Sequence, residues 1–317
     1  MPTHPPVSIL VPAYNEQEAI REVVTGLRER YPDYEIVVVD DGSKDETYAR
    51  IEDLPVRVIR HPRNRGYGGT WKTLAQAATG DIIVFYDGDG QFDPEYVQRL
   101  VDRMVDTNAD MVSGLRGRDS HASLRRQPGK KVLSFVANTL AGQKIPDLNC
   151  GLRAFRRQMF LKFLPLLPNT FSASTTSMML FLMQGLSVEF VPITVVERQG
   201  TSSVKIFRDG FNTIMLIIRI VALCNPLRLF LSAAFFLTAV SLVYSLYHAI
   251  SYGLGVPMLG AVGLLAGVMA FFFGVVCDQI SALRLQHLQY VYDAGRFDGQ
   301  PRGVLESARS KAMARKD

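Results

Sequence analysis

The chain has 317 residues, 48% of them hydrophobic and 21% charged, with a formal net charge of +5. That length suits one large domain or two ordinary ones, globular on average, and so modest a charge calls for no nucleic acid. The three cysteines, Cys150, Cys224 and Cys277, form neither a metal-ligand spacing nor a disulfide framework, which suits a reducing compartment.

In chain order, "VSILVP" (residues 7–12) reads as a strand and residues 16–30 as an amphipathic helix. The stretch before that helix, "MPTHPPVSILVPAYNE", has no basic start and only a strand's length of apolar residues, so no signal peptide is expected. "EIVVVDD" is a second strand, "VRVIRH" a third and "DIIVFYD" a fourth, with helices expected at about 44–53 and 70–79. Apolar strands alternating with helices predict a mostly parallel sheet covered on both faces. In such sheets ligands bind beyond the carboxyl ends of the strands, which here are "AYNE", "DDGS" and "DGDGQ".

A strand follows at "ADMVSG", then a helix near 130–142, a strand and helix over 152–163, and another pair over 172–192. Residues 206–223 join a polar start to an apolar remainder and read as a helix lying at a membrane interface before Pro226. Residues 229–252 and 256–277 contain no Asp, Glu, Lys or Arg. As helices they would each reach roughly 33 to 36 Å, enough to cross a hydrocarbon core, and Gly253–Gly255 would turn them into a hairpin. Arg219 and Arg228 flank the first span, Arg284 and Arg296 follow the second, and the turn is uncharged. Both ends are therefore expected on the cytoplasmic side. The basic stretch "LRGRDSHASLRRQPGKK" (115–131) suits a surface facing anionic lipid. The expected plan is an α/β domain over 1–205, the interfacial helix over 206–225, the hairpin over 226–283 and a cytoplasmic tail over 284–317.

"DGDGQ" places Asp87 and Asp89 one residue apart at the end of an apolar strand. Like charges that close are costly unless a cation or a set of donors lies between them. With Gln91 they offer hard oxygen ligands suited to Mg²⁺ or Mn²⁺. An EF-hand is excluded, because Phe92 and Gln98 stand where that loop needs Gly and Glu. "GYGGTW" (66–71) is not a dinucleotide fingerprint: it follows the third strand, and Trp71 replaces the third glycine. Its glycines would let the backbone pass close to a nucleotide or turn tightly into a helix.

"VSILVPAYNE", "EIVVVDDGSKDET", "NRGYGG" and "GDIIVFYDGDGQFDPE" together resemble the family 2 glycosyltransferases and their Rossmann-like GT-A fold. Within that family, "DLNCGLRAFRR" and "RQGTSSVK" are similar to the polyprenyl-phosphate and dolichol-phosphate glycosyltransferases related to dolichol-phosphate mannose synthase. The resemblance covers residues 7 to about 210. It implies transfer of one sugar, with inversion, from a UDP- or GDP-linked donor to a polyprenyl phosphate at a membrane. Pro12, Tyr14, Glu16 and Asp41 would hold the base and ribose. Asp89, with Asp87 and Gln91, would hold Mg²⁺ or Mn²⁺ on the diphosphate. Arg198 and Lys205 would close over the diphosphate and stabilise the leaving group. Arg116, Lys130 and Ser134 would receive the acceptor phosphate, with Lys130 standing where the related synthase has arginine.

A phosphate acceptor is already anionic and needs cations rather than a general base. Asp147 is the nearby carboxylate to test as base or orienting group, or else it is a structural partner of Arg153. Two rival readings are a family 2 transferase with another membrane acceptor, such as a diacylglycerol or a protein, and a silent nucleotide-sugar-binding scaffold. Processive polysaccharide synthases are excluded, because their Gln-x-x-Arg-Trp motif needs a tryptophan besides Trp71. The sugar, the polyprenol and the oligomeric state are not legible, and a homo-oligomer stays open.

Overall fold

Strand β1 (Val7–Ala13) is buried along its whole length, which a strand can be only when both faces of its sheet are covered. The computed structural model describes residues 5–117, 138, 144–196, 226–253 and 255–297, in two units, Met1–Asn225 and Pro226–Asp317. In the first, β2 (Glu35–Asp40), β3 (Arg57–Arg60) and β4 (Ile82–Phe85) join β1 in a parallel group. β5 (Met111–Arg116) pairs parallel with β7 (Val188–Ile193), and β6 (Arg153–Arg156) runs antiparallel between β4 and β5. The seven strands lie in the order β3-β2-β1-β4-β6-β5-β7.

The helices of this unit are α1 (Ile20–Arg30), α2 (Tyr67–Ala77), α3 (Glu95–Thr107), α4 (Arg157–Phe163) and α5 (Ala173–Met183). Alternation along β1 divides the core between the two faces. Ile9 and Val11 pack in one layer with Val24 and Leu27 of α1 and Leu100 and Met104 of α3. Leu10 packs in the other with Trp71 of α2, Phe160 of α4 and Phe181 of α5. Trp71 stacks on Phe85 with ring centroids 3.9 Å apart, which fastens α2 to β4.

The structure corrects several expected boundaries. Helix α1 starts at Ile20 rather than 16, because residues 17–19 form a tighter turn, in which the Ala19 amide donates to the Glu16 carbonyl at 3.2 Å. Residues 44–53 are turns rather than a helix. There Asp45 Oδ1 accepts from the Thr47 amide at 3.0 Å, and Thr47 Oγ1 accepts from the Glu16 amide at 2.8 Å. Side chains that bond the local backbone in this way compete with helical pairing. Helix α2 begins at Tyr67, not 70, directly after Gly66 at φ 86°. A Cβ on Gly68 would lie 2.0 Å from the Pro168 carbonyl oxygen, so this glycine serves close packing against the chain at 168–169. The helices expected near 130–142 and over 206–223 fall, Asn138 apart, outside the described residues.

The second unit consists of α6 (Pro226–Tyr252) and α7 (Met258–Phe297), and α7 continues well past 283. The segments Pro226–Tyr252 and Met258–Leu283 have mean hydropathies of 2.0 and 2.3 and are long enough to cross a membrane. Most of their large side chains, Phe235, Phe236, Ile250 and Phe272 among them, are exposed within the unit, as lipid-facing residues would be. Between the helices small residues meet: a Cβ on Gly260 would lie 2.0 Å from Ser245 Oγ, and one on Gly263 would lie 2.0 Å from Ser241 Oγ. Such contacts let two backbones approach closely where no hydrophobic drive separates helix from lipid. The α/β fold with a mostly parallel sheet, followed by an apolar hairpin, is as the sequence predicts.

Candidate active site

Parallel pairing in register brings the carboxyl ends of β1, β2 and β4 to one edge, Ala13 opposite Asp40 and Leu10 opposite Phe85. Because β6 is antiparallel, its beginning, Gly151 to Arg153, reaches the same edge, with Phe85 opposite Arg153. The end of β5 adds Arg116.

At the β1–β2 side, Pro12 is buried, Tyr14 is 39% exposed, and Glu16 is half-buried with its amide on Thr47 Oγ1. Asp41, expected to hold base or ribose, is buried and committed within the chain. Its Oδ1 meets His61 Nδ1 at 2.6 Å and accepts from the Arg65 amide at 2.9 Å, while Oδ2 accepts from the Gly66 amide at 2.8 Å. Asp41 therefore shapes the 61–66 loop, and His61 passes the connection on to Thr73 Oγ1 at 2.9 Å. Beside it a groove of about 380 Å³ is lined by Gly42, Ser43, Arg60, His61 and Pro62.

At the end of β4, Asp87 and Asp89 are both half-buried on one turn. Asp87 Oδ1 accepts from the Tyr67 hydroxyl at 2.7 Å, and Asp89 Oδ1 accepts from the Gln91 amide at 3.2 Å. Burial, and then the charge of Asp87, hold the Tyr67 hydroxyl protonated well above its usual range. Gln91 turns toward the chain ahead of 197: its carbonyl accepts from the Val196 amide at 3.1 Å, and its Nε2 donates to the Val196 carbonyl at 3.4 Å. The carboxylate turn is thus tied to the point two residues ahead of Arg198. No group of three or more His, Cys, Asp and Glu side chains suited to a metal occurs among the described residues. Two carboxylates with no further anionic ligand fit Mg²⁺ or Mn²⁺ shared with a phosphate-bearing substrate better than a metal held by protein alone.

At the end of β5, Arg116 grips Asp147 with two bonds, Nε to Oδ2 at 2.7 Å and Nη2 to Oδ1 at 2.9 Å. Asp147 Oδ1 also accepts from the Asn149 amide at 3.0 Å. Burial pushes the Asp147 carboxyl up, but the bonds and charge of Arg116 outweigh it and hold it below the usual carboxylate range. The alternative pairing of Asp147 with Arg153 is not formed. Arg153 is fully buried, and its Nη2 donates to the Leu148 carbonyl at 2.8 Å while its Nη1 donates to the Ser174 carbonyl. Cys150 is buried and its thiol is pushed to about 12 by burial first and Asp147 second, so it is no nucleophile.

Of the residues singled out by sequence, Lys130, Ser134, Arg198 and Lys205 lie outside the described residues. Tyr67 and Gly151 were missed, and Arg153 was weighed only as a partner of Asp147. The tyrosine's signal was its place among glycines at a helix start, but nothing local names its partner on β4.

Residues 8–164 match the family described as Glycosyl transferase family 2, and residues 225–283 match the GtrB C-terminal hairpin. Undecaprenyl-phosphate 4-deoxy-4-formamido-L-arabinose transferase of Pseudomonas fluorescens is 32% identical over 54% of this chain and 55% of its own. The chain therefore spans about half the length of that relative. UDP-N-acetylglucosamine–dolichyl-phosphate N-acetylglucosaminyltransferase of Methanococcus voltae is 31% identical over 48% of this chain and 69% of its own. Among solved structures, glucosyl-3-phosphoglycerate synthase of Mycobacterium tuberculosis, in complex with Mn²⁺, UDP and glucosyl-3-phosphoglycerate, superposes with a TM-score of 0.55 at 20% identity. That match covers 69% of this chain and 80% of the synthase, and at such identity it supports the shared fold alone.

Proposed function

The chain belongs to glycosyl transferase family 2, and from that premise we propose that it is a membrane-bound inverting enzyme moving one sugar from a nucleotide sugar to a polyprenyl phosphate. The observation that carries the reading is a carboxylate turn and a fixed guanidinium at one sheet edge, in a chain that also has an apolar hairpin. Relatives named for undecaprenyl-phosphate and dolichyl-phosphate acceptors support the acceptor class.

The donor lies across the carboxyl ends of β1, β2 and β4. Its base and ribose lie along Pro12, Tyr14 and Glu16, with Asp41 keeping the 61–66 loop in shape behind them. Asp87, Asp89 and Gln91 take the diphosphate end, where Mg²⁺ or Mn²⁺ would neutralise charge as the nucleotide leaves. Arg198 and Lys205 add cationic donors to that leaving group.

The acceptor phosphate meets Arg116, Lys130 and Ser134. Asp147 occupies one edge of the Arg116 guanidinium, and the donors not used by Asp147 are those offered to the phosphate. A phosphate oxygen attacks the anomeric carbon, the new C–O bond forms on the face opposite the departing nucleotide diphosphate, and the configuration inverts. That oxygen carries no proton to remove, so Asp147, held ionised by Arg116, orients and does not act as a base. The catalytic unit and both ends of the hairpin face the cytoplasm. Thermal-shift screening against UDP- and GDP-sugars with Mn²⁺ tests the donor class. Stabilisation by one nucleotide sugar supports the reading, and stabilisation by none contradicts it.

A further inference from the structure

The ring of Tyr67 is explained by packing, and its hydroxyl is not. The ring lies 5.3 Å from Trp71 and 5.2 Å from Phe171, contacts a phenylalanine would make equally well. The hydroxyl reaches across to the end of β4 and donates to Asp87 Oδ1 at 2.7 Å. Beside that hydroxyl, at the second oxygen of the carboxylate, stands Gly151, where a Cβ would lie 2.0 Å from Asp87 Oδ2 and 3.1 Å from the Tyr67 hydroxyl oxygen. The carboxylate is thus bonded on one oxygen and confined at the other.

The tyrosine is itself held at its backbone. The amide ahead of it, on Gly66, donates to Asp41 Oδ2 at 2.8 Å, and the amide after it, on Gly68, donates to the Asn169 carbonyl at 3.1 Å. Asp41 at the end of β2 is in this way linked through Gly66 and Tyr67 to Asp87 at the end of β4.

We propose that Tyr67 is a positioning residue, which together with the bare backbone of Gly151 sets the angle at which Asp87 is offered to a divalent cation on the donor diphosphate. This rests on the metal reading given above. A hydrogen bond to the far oxygen of a ligating carboxylate fixes its orientation, and losing such a partner typically weakens metal binding by about 10- to 100-fold.

The test uses the detergent-solubilised full chain and measures Mn²⁺ binding directly, from the electron paramagnetic resonance signal of unbound Mn²⁺, with UDP and with GDP. Tyr67→Phe keeps the ring and removes the hydroxyl, and is expected to weaken Mn²⁺ binding by about 10-fold or more with an unchanged unfolding midpoint. Gly151→Ala displaces the same carboxylate at its other oxygen and is expected to act in the same direction, which keeps the inference testable if Tyr67→Phe does not fold. Wild-type Mn²⁺ affinity in either folded variant overturns the inference and leaves the metal reading standing. A wild-type chain that binds no Mn²⁺ with either nucleotide overturns both.

Discussion

Arg116 and Asp147 form a two-bond fork at the carboxyl end of β5, Nε to Oδ2 at 2.7 Å and Nη2 to Oδ1 at 2.9 Å. The fork fixes a guanidinium that is about one-third exposed against a carboxylate that is mostly buried. It makes Asp147 a holder of Arg116. Arg116→Ala should therefore cut the use of lipid phosphate on the order of 100-fold or more, the scale set by losing a charge-stabilising donor. Asp147→Asn should leave measurable transfer, because no proton has to be removed. Steady-state kinetics with varied acceptor check both, and complete loss in Asp147→Asn would count against an orienting role.

The same pair has a signature in acid. The folded carboxyl of Asp147 titrates below its ordinary value of about 3.9, so its stabilisation is complete above that value and is lost as pH falls through the depressed one. The unfolding midpoint should drop on acidification below about pH 4, and Asp147→Asn should flatten that acid limb. Thermal melts of both proteins from about pH 6 down to about pH 2.5, starting well above the ordinary carboxylate value, give the comparison.

Asp89→Asn should abolish transfer in a protein that remains folded, since the diphosphate loses an anionic ligand of the cation that neutralises it. Asp89 sits half-buried on the turn after β4, outside both layers of the core, so the unfolding midpoint should change little. Transfer at nearly the wild-type rate would remove the metal assignment.

Topology can be read by labelling. Gly255 lies between the two apolar helices in an uncharged turn. Once Cys150, Cys224 and Cys277 are replaced, a cysteine at 255 should react with an impermeant thiol reagent applied from outside the cell. Reaction only after lysis would reverse the orientation.

The parallel strands and their polar ends were legible because a strand buried on both faces writes itself as an unbroken apolar run, as "EIVVVD" does in β2. The stretch 44–53 was misread because its helical pattern competes with Asp45 and Thr47, whose bonds reach the β1 loop. The antiparallel insertion of β6 was not legible either, since "RAFR" carries no mark of its partners β4 and β5. In the site, the acidic turn at 87–91 announced itself by composition. Its support did not: Tyr67 finds Asp87 from the start of α2, and Arg153, weighed as a partner of Asp147, is instead fully buried on the Leu148 and Ser174 carbonyls. Arg116 and Asp147 were both singled out, but as separate actors, because a fork between residues so far apart in the chain leaves no trace in spacing.

The central claim is that the acceptor is a phosphate, and it is tested most directly by offering the purified protein a nucleotide-sugar donor with either a polyprenyl phosphate or its free alcohol. Transfer to the phosphate alone is the predicted result, because cations positioned by the Arg116–Asp147 fork suit an anionic nucleophile and the mechanism includes no base to activate a hydroxyl. Equal product from the free alcohol would contradict it.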